Sequence, residues 1–279
     1  MSVRIVTDSS CDLPQELADA HGIKIVPLSI RFGDEEFIDR TTITTDEFWR
    51  RCAGSAQLPE TAAPPPGDFI KAYLDLKEQG ATSVVVLALS SELSATMQSA
   101  VNAARDVASE IEVRVIDSRN ASLAMGLTAL ECAKKAQAGA TIDEVCALAE
   151  QLIPRTFLFG ALDTLDALKK GGRISSSKAL IANVLSIKPL IAVRNGVIEE
   201  AGKQRTRSKA LAALIDILGE HTDTLEQVGI SHAQCADIDA FVQMVKTVYT
   251  GEVIISDIGA VIGTHVGQGT IGIAYRLAP

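Results

Sequence analysis

The sequence predicts an α/β protein in two parts, a mostly parallel sheet followed by a mixed one, and three observations predict it. Short apolar runs at Val3 to Val6, Ile23 to Ile30, Ser83 to Leu89 and Val113 to Ile116 each precede a polar loop and a helical period. That alternation is the grammar of βα units, which bury both faces of a parallel sheet. Beyond about Pro154 the pattern changes, because Ile187 to Val193 and Val197 to Gln204 flank Asn195-Gly196, a strong hairpin signal that brings an antiparallel pair into the sheet. The composition is 47% hydrophobic but 4% aromatic, so the cores must be built from Val, Ile, Leu and Ala, the palette of parallel sheets. A length of 279 residues suffices for two domains, divided here into 1–157 and 158–279.

Local signals set the elements. Asp12 before Leu13-Pro14 reads as a helix N-cap, and Thr44 with Glu47 and Thr141 with Glu144 have capping-box spacing. After Ser94, the residues Met97, Ala100, Val101, Ala104 and Val107 form one helical stripe, assigned to the core. Further strands are expected at Val228 to Ser231, Glu252 to Ser256 and Thr270 to Arg276, with a helix over Ala236 to Tyr249.

Charge and cysteine usage narrow the class. A formal charge of −9 and a pI near 5.0 repel phosphate backbones, so no nucleic-acid partner is expected. The basic stretch of Lys203, Arg205, Arg207 and Lys209 has no interleaved aromatics and reads as a solvated strand end and helical turn. Five scattered cysteines with no CxxC pair argue against disulfides and zinc, so they read as reduced thiols and no metal is expected. The N-terminus turns polar at Thr7 to Ser10 and carries no secretory h-region, so a cytoplasmic protein is expected.

Chemistry is sought at the carboxyl ends of the strands. Three of these are rich in hydroxyls: Thr7 to Ser10, Ser90 to Thr96 and Asp117 to Ser122, so Ser9, Ser10, Ser118 and Ser122 are cleft candidates. Ser94 and Thr96 open a helix, whose free N–H groups favour a carboxylate or phosphate, although each loop taken singly is better explained by ordinary capping. His265, in the segment Ile262 to Thr270, sits at an expected strand end and could donate to an anion; a lone histidine is more often structural. Arg173 follows Lys169-Lys170-Gly171-Gly172, past a helix end, where it could project as a bidentate donor. Gly267-Gln268-Gly269-Thr270-Ile271-Gly272 matches the dinucleotide fingerprint only formally, with no room for the helix that must follow it. There is no GxSxG elbow, no GxxxxGK[ST] phosphate loop and no spacing that singles out a catalytic triad.

In this order the segments Thr7 to Pro14, Thr61 to Phe69, Ser90 to Ser99, Leu168 to Ile174 and Gly263 to Gly267 resemble the DegV family, whose members include the fatty-acid-binding subunits of bacterial fatty acid kinase. The resemblance runs essentially end to end. It implies the two-domain DegV-like (EDD) fold, with a long-chain fatty acid held in an apolar tunnel between the domains and no other cofactor. The carboxylate site it implies maps onto Thr61, Ser94, Ala95, Thr264 and His265, and Arg173 matches an arginine near the kinase docking surface. The implied partner is a dihydroxyacetone-kinase-like catalytic subunit that phosphorylates the bound acid for phospholipid synthesis, with transient contact to a membrane surface. Where the family usually has Thr-Ser-Gln-Pro and Leu-Ser-Gly-Thr-Tyr, this chain has Thr61-Ala62-Ala63-Pro64 and Leu93-Ser94-Ala95-Thr96-Met97, which keeps both hydroxyls but adds a methyl group at Ala95.

The leading expectation is therefore a carrier that is not itself an enzyme. The alternative is an enzyme acting on a small carboxylate or phosphate at the same cleft, with His265 as acid or base. A binding module for another lipid or an isoprenoid shares the same sequence features.

Overall fold

The computed structural model describes residues 2–55, 58–174 and 187–279. The strands Lys24–Val26, Val3–Asp8, Ser83–Ala88 and Glu112–Asp117 form, in that order, a fully parallel sheet. Its alternating residues feed two cores: Ile5, Val85 and Leu87 face the helices Ser122–Gln137 and Ile142–Leu152, whereas Val6, Val84 and Val86 face Pro66–Glu78 and Thr96–Asp106. Helices thus cover both faces, as the apolar runs required.

A six-stranded mixed sheet follows, ordered Val197–Gln204, Lys188–Arg194, Thr156–Ala161, Ile271–Leu277, Leu225–His232, Val253–Asp257. Its hairpin turns on Asn195 and Gly196 with φ of 50° and 85°, the left-handed pair that this dipeptide supplies readily. The helices Arg207–Gly219 and Ile238–Val245 cover one face through Leu211, Leu214, Phe241 and Val245. The other face meets the Ser122–Gln137 helix, which is buried on every side from Ser122 to Leu130, eleven of its sixteen residues being buried in all. We call it the central helix. At Gly126 an added Cβ would lie 2.7 Å from the Cys11 carbonyl oxygen, so only glycine allows that backbone approach.

Several expectations require correction. The run Ile23 to Ile30 is not one strand: Pro27, which lacks an N–H to donate, lies between Lys24–Val26 and Ser29–Phe32. Ser29–Phe32 instead pairs with Glu35–Ile38 and Glu60–Ala62 in a separate antiparallel sheet. Asp12 is not a helix N-cap; the next helix, Gln15–Ala20, begins after Pro14, and the Asp12 carboxylate bonds to distant segments. In the helix Thr96–Asp106 the buried face is Thr96, Ser99, Ala100 and Ala103, rotated from the expected stripe. The segment around His265 is no strand end but a helix, Ala260–Val266, which packs with Phe48 and Trp49 on the small sheet. Of the two capping boxes, Thr141 and Glu144 make both reciprocal bonds, whereas Thr44 is held by the Glu47 amide alone among the bonds seen. No helix among the described residues is long and apolar enough to cross a membrane.

Gly126→Ala should lower stability by about 1–3 kcal/mol, because the methyl group meets backbone rather than a yielding side chain. Chemical denaturation read by circular dichroism measures this, and a loss below about 0.5 kcal/mol would contradict the close approach.

Candidate functional site

Where the central helix begins, the two large sheets part and leave a cavity of about 610 Å³, its mouth included. Leu89, Leu93, Ala121 and Ser122 contribute one wall from the ends of the parallel strands, and Leu158, Ile191, Val193 and Ile198 contribute another from the mixed sheet. Val261, Ile262, His265 and Val266 close it from the Ala260–Val266 helix, hereafter the roof helix. A second space of about 340 Å³, its open side included, continues from it, sharing Ser122, Leu158, Ile191, Val193, Ile262 and Val266 and reaching Ser231, Thr270 and Gly272. The walls are aliphatic, so the space favours a hydrocarbon guest.

Polarity collects at the mouth. Thr61, Arg173 and His265 line both the cavity and an outer cleft of about 1110 Å³, to which Glu60, Lys170 and Thr264 also contribute. Thr61 reaches this neck from the strand Glu60–Ala62 of the small sheet, and Ser94 from the turn that opens the helix Thr96–Asp106. Thr61 Oγ1 lies 3.0 Å from His265 Nε2. His265 Nδ1 is buried with no hydrogen-bond partner among the described residues. Burial, and secondarily the Arg173 guanidinium, push the His265 pKa down from 6.5 to about 4, so the ring is neutral at neutral pH. With its proton on Nε2 it donates to Thr61, whose own O–H is then free to donate to an anion. Ser94 Oγ sits 2.9 Å from Thr96 Oγ1 and accepts from the Thr96 amide at 3.2 Å, so Thr96 can likewise leave the Ser94 proton for a guest. Arg173 is held by the Leu93 carbonyl at 3.3 Å and by that of Gly171.

Thr61, Ser94, Arg173, His265 and Ser122 thus border one cavity. Thr264 borders the outer cleft, its hydroxyl donated to the Ala260 carbonyl of its own helix at 2.8 Å. Ala95 is exposed and outside the cavity lining; its φ of −77° is ordinary for alanine, so the absent family glycine imposes no strain here. Ser9, Ser10 and Ser118 are buried away from the cavity: Ser9 accepts from the Leu28 amide, Ser10 bonds to Asp8, and Ser118 donates to the Asn120 carbonyl. Among the basic residues singled out, Arg207 is paired with Asp237 and Lys203 with Glu200. Sequence reading missed the aliphatic walls, although strand parity would have put Ile191 with Val193 on one side. No cluster of His, Cys, Asp or Glu among the described residues could hold a metal.

Fold and site define an α/β protein built around an aliphatic cavity with a hydroxyl-, imidazole- and guanidinium-bearing mouth. The chain belongs to the DegV family, whose profile, described as "Uncharacterised protein, DegV family", matches residues 2–277. It is 37% identical over 278 residues to the DegV domain-containing protein SCO2569 of Streptomyces coelicolor, covering 97% of each chain. Among solved structures it resembles a DegV lipid binding protein from Thermotoga maritima, with a TM-score of 0.90, 32% identity and 99% of each chain covered. A DegV family protein from Thermus thermophilus, described for its fatty acid binding, matches with a TM-score of 0.90 and 30% identity over 99% of this chain and 100% of that one.

The lowered His265 pKa has a defined consequence. Unfolded histidine takes up its proton near pH 6.5 and the folded one near 4, so the neutral ring contributes stability above pH 6.5 that is lost as pH falls through 4. A ring-proton NMR titration should place the His265 midpoint below pH 5, and a midpoint above 6 would contradict the buried geometry.

Proposed function

We propose that this protein holds a long-chain fatty acid, its tail in the aliphatic cavity and its carboxylate at Thr61, Ser94 and His265, and presents that head group to a partner kinase for acyl-phosphate formation. The supporting observation is the division of polarity, an aliphatic cavity whose mouth gathers two hydroxyls, a neutral imidazole and a guanidinium. Each buried methylene contributes about 0.8 kcal/mol, so a dozen supply on the order of 10 kcal/mol before the cost of association. A carboxylate drawn to the neck loses water and must be hydrogen-bonded, which Thr61 and Ser94 can do as donors. The fatty acid binding ascribed to the Thermus thermophilus relative supports the same ligand class.

In this reading the protein is a cytoplasmic carrier and the catalytic groups belong to a dihydroxyacetone-kinase-like partner. The outer cleft, with Lys170 and Arg173 on its walls, is where an added phosphoryl group meets positive charge. The acid lies between a first domain of residues 1–157 and a second of 158–279, and the protein shields the product from water until a phospholipid-synthesis step consumes it.

Solvent extraction and mass spectrometry of the purified protein should recover a long-chain acid. Thr61→Ala combined with Ser94→Ala should weaken fatty acid binding by about 3 kcal/mol, roughly a hundredfold, in a titration at pH 7.5 while the thermal unfolding transition persists. Unchanged affinity would end the head-group assignment.

A further inference from the structure

Asp12 is fully buried and takes no part in the neck, yet it is the point where three segments around the cavity meet. Its Oδ2 accepts from Ser122 Oγ at 2.6 Å, and Ser122 opens the central helix and lines both chambers. Its Oδ1 accepts from the Gly259 amide at 2.9 Å, the residue from which the roof helix starts. Its backbone carbonyl accepts from Ser256 Oγ at the end of the strand Val253–Asp257. Gly259 fits closely, since a Cβ there would lie 3.1 Å from Asp12 Oδ1.

We propose that Asp12 is a positioning residue for ligand binding: by bridging Ser122 on the chamber wall to the Gly259 amide, its carboxylate sets how the roof helix, with His265, sits over the cavity. This rests on the ligand reading above. An ionised carboxylate accepts both bonds at once, whereas a protonated one must place its own O–H and gives up an acceptor position.

Burial raises the Asp12 pKa to about 7, against the lowering effect of the bonds from Ser122 and Gly259 and of the Arg40 guanidinium. The other titratable groups around it are Asp39, whose carboxylate opposes ionisation, and Asp8 and Cys11, whose pKa values burial also raises. The central helix and the Gly259 segment present Ser122 and a backbone amide to it. The anchor therefore holds above neutral pH and weakens below it. His265, with its pKa near 4, does not titrate between pH 6 and 8.

Trp49, the chain's single tryptophan, reports on the roof helix without a ligand. Its Nε1 donates to the Ile258 carbonyl at 3.1 Å, and its ring lies against Gly263, where a Cβ would come within 2.7 Å. In the ligand-free protein, Trp49 emission should change with a midpoint near pH 7, and Asp12→Asn, which keeps the shape but cannot ionise, should abolish that change. With oleate as the probe, wild-type affinity should fall at least threefold from pH 8 to pH 6, while Asp12→Asn should show a flat profile. Asp12→Ala should bind oleate at least tenfold more weakly than wild type at pH 8. A pH profile of emission or affinity that is the same in Asp12→Asn as in wild type overturns the proposal. If the emission change depends on Asp12 but wild type binds no oleate, the anchor stands and the fatty acid reading falls.

Discussion

A helix buried on all sides has no face on which to carry charge. The central helix shows this constraint, with its ionisable residues Glu131, Lys134 and Lys135 confined to its second half. Its first half must satisfy two sheets at once, so Gly126 lets Cys11 approach on one side, and Leu123 fills the space above Gly229 on the other. Such double packing works only while the sheets stay at helix-diameter separation. At Ser122 the helix ends and nothing of equal width replaces it. The cavity is the gap that remains, and its aliphatic walls are the inward rows of sheets whose outer faces are already covered.

Electrostatics explains why that gap, rather than the crevice at the first parallel strand, is open. In many open sheets a ligand sits just beyond the strand ends, and here that place is filled by Asp8, Asp12 and Asp39 with Arg40. Burial raises the pKa of each of these carboxylates, and the single Arg40 guanidinium offsets that only in part. The serines that looked like ligand donors at this end, Ser9 and Ser10, instead satisfy this cluster and the neighbouring backbone.

What could be read beforehand follows the range of the forces involved. The Asn195-Gly196 turn and the Thr141 cap rest on bonds within a few residues, and both were legible. The centre of the parallel half was legible because the strands Val3–Asp8 and Ser83–Ala88 are buried on both faces and carry apolar runs. Asp12 was misread because a cap rule looks four residues ahead, while its partners lie 110 and 247 positions away. The segment Ile258 to Val266 is apolar enough for strand or helix, and the deciding factor, the fit of Gly263 against Trp49, is a tertiary contact. The neck residues Thr61 and His265, 204 positions apart, could be linked only through family resemblance, since no local pattern connects them.

The hairpin tip adds a mechanical restraint. Ser90 donates to the Gly196 carbonyl at 2.7 Å and Arg119 to that of Asn195, so the turn of the mixed sheet is buttoned onto the loops of the parallel one. Swinging the halves apart would tear both fastenings at the edge of the cavity. The two bonds therefore brace the cavity walls against opening as a hinge, with Thr61 and His265 left at the mouth.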